Sequence, residues 1–187
     1  MNYSQSNQDI FVLKMFPNIK GTYLEIGASH PIDISNTYLL EQNGWTGLSL
    51  EIDNTCQHIW NQKRKNNLII TNALTFDYSR LPNYINYLQL DIEPSENTLE
   101  CLKRLMTYPT RYGCITFEHD YYINQGTINE SREIFEHNGY KIFAGGIATK
   151  EGWIYEDWWV DLEKINKENF DLYNKGYNFN SYINFEQ

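Results

Sequence analysis

Tyr23-Leu24-Glu25-Ile26-Gly27-Ala28-Ser29 is a short apolar run that stops in a turn of small residues. A buried strand with such an ending lets the backbone approach a ligand closely, because small side chains leave room and glycine accepts positive φ. Working outward, strand-like runs recur at 47–52, 68–70, 87–92 and 114–118. Amphipathic stretches lie between them. Ser35 can open a helix over 35–43, and Asp53 one over 53–64. Ser95 opens another, in which Leu99, Leu102, Leu105 and Met106 share a face. Thr127 introduces one more, closed by Gly139. Further strands are expected at 140–143, 152–154 and 157–160. This alternation predicts a doubly wound α/β domain with a mostly parallel sheet and helices on both faces. In such a sheet the ligand crevice lies outside the carboxyl ends of the strands.

Bulk properties narrow the function. A chain of 187 residues, 41% hydrophobic and 21% charged, supports one well-buried core and hence one domain over 1–187. Its first 19 or so residues read as an N-terminal cap. The stretch from about 163 to 187 is polar and rich in Asn and Tyr, including Tyr173, Tyr177, Phe179 and Tyr182; it reads as a lid, a homodimer contact or a packed terminus. A net charge of −9 argues against nucleic acid and against an anionic membrane surface as partners. The one tight basic cluster, Lys63-Arg64-Lys65, reads as a solvated helix end. Cys56, Cys101 and Cys114 form no paired or metal-binding spacing, and no apolar run has the length of a membrane span, so a reducing, cytoplasmic setting is expected. Abundant Asn, Ile, Tyr and Lys with five Pro fit an AT-rich, viral coding sequence, in which case that setting is the host cytoplasm.

The strand ends carry the chemistry. Glu25 can meet a cationic amine, and Gly27-Ala28 allow close approach. Glu51, followed by Ile52, sits where nucleotide-binding folds place an acid for ribose hydroxyls. Asn72-Ala73 can meet the edge of a base. Three consecutive strand ends thus offer groups for the amino-acid end, the sugar and the base of one ligand. The turn after the first strand is not G-x-G-x-x-G, which counts against a dinucleotide.

Six segments, in this order and spacing, resemble the FkbM-type methyltransferases: Tyr3-Ser4-Gln5 with Gln8-Asp9; Tyr23 to Ala28; Ser35-Asn36-Thr37; Gly44-Trp45-Thr46-Gly47 leading to Glu51; Leu90-Asp91-Ile92-Glu93 with Glu96; and Phe117-Glu118-His119. The resemblance implies a seven-stranded, Rossmann-like class I methyltransferase sheet with one antiparallel strand near its end. It also implies S-adenosylmethionine as cofactor and O-methylation of a small, hydroxyl-bearing acceptor such as a carbohydrate. By position, Glu25, Gly27 and Ala28 would border the methionine portion, Glu51 and Ile52 the ribose, and Asn72 and Ala73 the adenine. Asp91 would also border the cofactor, and Gln8, Ser35 and Asn36 would close over it. The sequence departs from the family pattern at Ser29, where glycine is familiar, and at Glu93-Pro94 in place of Asp-Gly.

A hydroxyl acceptor benefits from a base within hydrogen-bond reach. His119 is the candidate, oriented by Asp91 or Glu93. The favoured reading needs no metal; in the rival one, Asp91, Glu93, His119 and Asp120 gather around Mg or Mn to lower the acceptor's pKa. Trp158-Trp159 either line an acceptor groove or pack in the core, and Tyr121-Tyr122 face the same choice. The alternative from another class is a nucleotide-binding or interaction domain that keeps the fold without turnover.

Overall fold

The computed structural model of the chain describes residues 3–177. Helices and strands alternate: α1 Gln8–Met15, β1 Thr22–Ile26, α2 Tyr38–Gln42, β2 Thr46–Glu51, α3 Gln57–Lys63, β3 Asn67–Ile70, β4 Tyr84–Leu90, α4 Ser95–Leu105, β5 Arg111–Glu118, α5 Gln125–His137, β6 Lys141–Ala148, β7 Ile154–Val160 and α6 Lys167–Tyr173. The strands form one seven-stranded sheet in the order β3-β2-β1-β4-β5-β7-β6. β1 to β5 pair in parallel, while β7 runs antiparallel to both β5 and β6. The expected doubly wound sheet with a single reversed strand near its end is therefore the fold observed. No helix among the described residues is long and apolar enough to cross a membrane.

Strand alternation sorts neighbouring residues into two cores. Leu24, Leu88 and Trp159 face one side, with Leu99, Leu102 and Leu105 of α4 and Phe135 of α5. Tyr23, Tyr87 and Trp158 face the other, with Phe11, Val12 and Met15 of α1, Leu40 of α2 and Phe170 of α6. Phe135 stacks on Trp159 at 4.9 Å and Phe11 on Trp158 at 4.8 Å, so both tryptophans are core residues and neither lines a groove.

Several expectations shift in detail. Of the expected strand at 152–154 only Ile154 is in a strand, and it joins 157–160 in one element, β7, because pairing to β5 and β6 continues through Glu156 to Ile154; Gly152 and Trp153 lie in the connection before it. Asp53 does not cap a helix; it accepts from the N–H and hydroxyl of Thr55, and α3 starts later, at Gln57. α5 opens two residues before Thr127 because Asn124 Oδ1 accepts the Gly126 N–H, capping it earlier. The N-terminal cap contains α1, and the start of the terminal segment contains α6; Phe179 and Tyr182 lie outside the described residues.

The Lys63-Arg64-Lys65 expectation is overturned at its centre. Arg64 is buried, with its guanidinium donating to Glu41 Oε2 (2.9 Å), Pro31 O (3.0 Å), Tyr23 OH (3.0 Å) and Thr37 Oγ1 (2.8 Å). It also lies 4.2 Å from the centre of the Trp60 ring. A planar five-donor cation can satisfy this many acceptors at once, which a lysine cannot. The arginine thereby ties α3 to the segment that leaves β1.

Candidate active site at the carboxyl edge of the sheet

Strand register lines up one residue per strand along this edge. Ile26 pairs with both Leu50 and Leu90, and Leu90 pairs with Phe117. One step further along each strand lie Glu51, Gly27, Asp91 and Glu118, and Glu118 pairs with Glu156 of β7. An acid thus stands on four of five adjacent strands, with glycine on β1. A cleft of about 380 Å³ opens above the row, in the size range of small-ligand sites. Glu51, Asp91, Glu93 and Glu118 line it, and among the described residues no Lys, Arg or His does. Such a lining repels phosphate and favours a cation.

Gly27 is required where it stands. Its φ is +84, and a Cβ built there would lie 1.6 Å from the carbonyl oxygen of Asp91. The absence of a side chain lets β1 and β4 end side by side, with Asp91 N–H donating to Ile26 O at 3.0 Å. Ser29 adopts φ +47, the left-handed region that favours glycine, so the turn keeps a glycine-like path despite the substituted residue. Glu51 holds this turn. Its Oε2 accepts the Ser29 N–H (2.8 Å) and its Oε1 accepts those of Ile52 (2.8 Å) and Asp53 (3.0 Å). A carboxylate has roughly four acceptor positions, so capacity for a ligand hydroxyl remains.

Ile52, exposed on the next position, and Asn72 with Ala73 after β3 form the opposite wall of the cleft. Asn72 Oδ1 accepts the Leu74 N–H (2.8 Å), which orients its amide. Gly27, Glu51, Ile52, Asn72, Ala73, Asp91 and Glu93 therefore line one cleft. Sequence reasoning passed over Glu118 as a site residue, although it lay in a motif singled out. The nearby histidine drew the role, whereas the parallel register sets Glu118 beside Asp91.

Asp91 and Glu118 form a hydrogen-bonded carboxyl pair. Burial pushes both above the usual carboxylate range, and for Glu118 the charges of Asp91, Glu156 and Asp120 push further the same way. Two acids this close share one proton between them, and the pair titrates as a unit. Behind them, burial raises Glu156 to about 8, against lowering by hydrogen bonds from Trp158 Nε1 (2.6 Å) and Gln8 Nε2 (2.9 Å). Gln8 is thus buried beneath the acid row, also donating to Tyr155 OH at 3.2 Å, and is not a lining residue of the cleft.

Other expected residues lie elsewhere. Glu25 points to the α2 side of the sheet, where its Oε1 accepts from Thr37 Oγ1 (2.7 Å) and its Oε2 from Ser49 Oγ (2.5 Å). Its carboxyl is raised by burial and lowered by Arg64 and these two hydroxyls, so it serves an internal network instead of meeting an amine in the cleft. Ala28 is buried, its N–H donating to Leu50 O. Ser35 Oγ accepts the Tyr38 N–H at 3.1 Å, capping the turn before α2, and neither it nor Asn36 lines the cleft.

The His119 expectation also needs correction. The ring is fully buried, with Nδ1 accepting the Tyr121 N–H (3.2 Å). Its Nε2 lies 3.3 Å from Asp157 Oδ1, within ion-pair reach but off a hydrogen-bond axis. Asp157 is in turn clamped by Arg132, at 2.7 and 3.1 Å. Both ring nitrogens face protein, because pairing of Glu118 with Glu156 turns the next residue away from the cleft. Asp91 and Glu93 line the cleft and His119 does not, and among the described residues no group of three or more His, Cys, Asp or Glu is arranged to hold a metal ion.

No family model matches the chain, and no curated protein does. Solved structures do match. A putative rRNA methylase from Clostridium thermocellum aligns over 86% of this chain and 97% of its own, at 10% identity and a TM-score of 0.60. A putative O-methyltransferase from Klebsiella pneumoniae aligns over 83% and 80%, at 14% identity and a TM-score of 0.60. A SAM-dependent methyltransferase from Archaeoglobus fulgidus aligns over 79% and 76%, at 18% identity and a TM-score of 0.53. The chain spans only 25% and 45% of two longer structures that it also matches. At these identities the likeness is one of architecture: the chain has the Rossmann-like fold of the class I methyltransferases.

Proposed function

We propose that the chain is an S-adenosylmethionine-dependent methyltransferase that acts on a hydroxyl of a small, neutral acceptor, as its resemblance to the FkbM-type enzymes implies. The observation that carries this reading is the cleft lined by four carboxyls and no base. S-Adenosylmethionine carries a sulfonium and an ammonium against one carboxylate and so is a net cation, whereas phosphate-bearing cofactors would be repelled. The donor set fits the rest of the molecule as well. Glu51 meets ribose hydroxyls, Ile52 and Ala73 offer apolar faces to the adenine, and the Asn72 amide offers a hydrogen-bond donor. Gly27, whose backbone lines the cleft, borders the methionine portion.

When bound, the cofactor supplies a methyl group on a positively charged sulfur. The protein's share is to position the acceptor and take up its proton. Ionised Asp91 is the base: its raised pKa brings it closer to neutrality, where proton transfer from a hydroxyl is better matched. Protonated Glu118 keeps Asp91 in place through their shared hydrogen bond. A small acceptor is favoured over nucleic acid for the same reason that the cofactor is favoured over a dinucleotide, since the acid row would face each phosphate. Titration calorimetry with S-adenosylhomocysteine tests the reading, with wild type and Glu51→Ala compared. Binding weakened by about tenfold or more in the variant is expected from loss of a charge-assisted hydrogen bond. No binding to wild type would leave the alternative, a domain that keeps the fold without turnover.

A further inference from the structure

Past Glu118 the chain makes a tight exit from the sheet. His119 and Asp120 both donate backbone N–H groups to Tyr155 O, at 2.7 and 3.1 Å. The carbonyl of Asp120 accepts from Ile123 and Asn124, at 2.8 and 2.9 Å. The backbone of Asp120 is therefore held from both sides, at φ +47, where Asp and Asn are among the few side chains tolerated. Its side chain is buried (3% exposed), yet Oδ1 has no hydrogen-bond partner. It is the one buried carboxyl among the described residues left in this state. Native proteins seldom leave such an atom unsatisfied unless a water, an ion or a ligand completes it.

What surrounds the atom narrows the ligand. Asp91 acts on one side through its charge, so a hydrogen-bond donor is called for and an anion is disfavoured. On the other side Tyr122 hydrogen-bonds to the Asp120 carboxyl. Tyr122 is 45% exposed and meets Trp153, 55% exposed, edge to face at 5.4 Å. Trp153 comes from the connection between β6 and β7, which reaches the same edge of the sheet. Two large aromatic rings left open to solvent beside a donor-seeking carboxylate have the composition of a surface for a polyhydroxylated ring.

We propose that Asp120 and the Tyr122–Trp153 pair form the acceptor subsite, Asp120 Oδ1 accepting from one hydroxyl of a sugar ring that lies against Trp153. The hydroxyl next to it is thereby turned toward Asp91. The inference rests on the methyltransferase reading, and it makes Asp120 a positioning residue and Trp153 a specificity residue; neither takes up the reacting proton.

The test is an NMR titration of wild type, Asp120→Asn and Trp153→Ala with methyl glycosides of glucose, galactose, mannose and rhamnose. Each is run with and without saturating S-adenosylhomocysteine, whose own affinity is measured in parallel. Asn keeps the backbone at φ +47 and the exposed Trp153 site tolerates truncation, so both variants fold. At least one glycoside should bind wild type, about tenfold more weakly to Asp120→Asn and about fivefold more weakly to Trp153→Ala. S-Adenosylhomocysteine affinity should stay within about twofold throughout. Equal glycoside binding by all three proteins, or binding of none of the four sugars to wild type, overturns the subsite. Failure of wild type to bind S-adenosylhomocysteine overturns the methyltransferase reading instead, and the titrations without it still decide the subsite.

Discussion

Two buried groups of acids lie within one small sheet and are treated in opposite ways. On the α2 side, Glu25 and Glu41 are matched by Arg64, whose donors are taken up by Glu41, Pro31, Tyr23 and Thr37. At the carboxyl edge, Asp91, Glu118 and Glu156 have no cation among them and rise above the carboxylate range through burial. The first group is internally complete and ties secondary structure together. The second is left short of positive charge, and that deficit is what a cationic cofactor and a proton-donating acceptor would fill. Compensation marks the structural cluster, and its absence marks the one proposed to bind and react.

The contrast can be broken most severely at Asp91. Asp91→Asn should lower turnover of an accepted sugar by 10²- to 10⁴-fold, the usual contribution of a general base, in a radiolabelled methyl-transfer assay. In wild type the acid limb of the rate profile should lie above the ordinary carboxylate range. The ionised form of Asp91 is the active one and its pKa is raised, so activity is lost as pH falls through that raised value. A profile flat down to the usual carboxylate pKa would remove Asp91 from the role.

Next in size is Arg64→Met. Removing the cation leaves buried Glu41 without its ion-pair partner and Glu25 without a nearby opposite charge, and should cost about 3–5 kcal/mol in urea unfolding at neutral pH. A loss below about 1 kcal/mol would mean that the cluster is not compensated in the way described.

The smallest effect expected is at Glu156, which sharpens the comparison. Its folded pKa is raised to about 8. Stability from this group is therefore fully present below the unfolded value of about 4.3 and is lost as pH rises to about 8. Glu156→Gln keeps an acceptor for Trp158 and Gln8 without a titrating proton. It should raise the melting temperature at pH 8 by about 3 °C and have less effect near pH 5. The reverse order would show that the carboxyl is ionised and stabilising where it stands.

Much of this architecture is legible along the chain. Apolar runs ending in Gly27, Glu51 and Asp91 announce parallel strands with ligand groups at their tips, and the register of β1, β2 and β4 brings these three residues together. Local pattern cannot report the direction of a side chain once the strand has ended. His119 looked like a base because imidazole titrates near neutrality, yet it turns inward to Asp157, while the unremarked Glu118 faces the cleft. Arg64 looked solvated because it stands between two lysines, but its acceptors come from Pro31, Thr37 and Glu41, more than twenty residues away.

The amino-acid sequence by itself determined most of the strands, their order of appearance and the acids at the strand ends, because these follow from periodicity, turn chemistry and charge. Tertiary structure decided which acids share a proton, which are neutralised by arginine and which carboxyl oxygen is left without a partner. Those properties depend on distances between segments far apart in the chain, and on the burial that only packing creates.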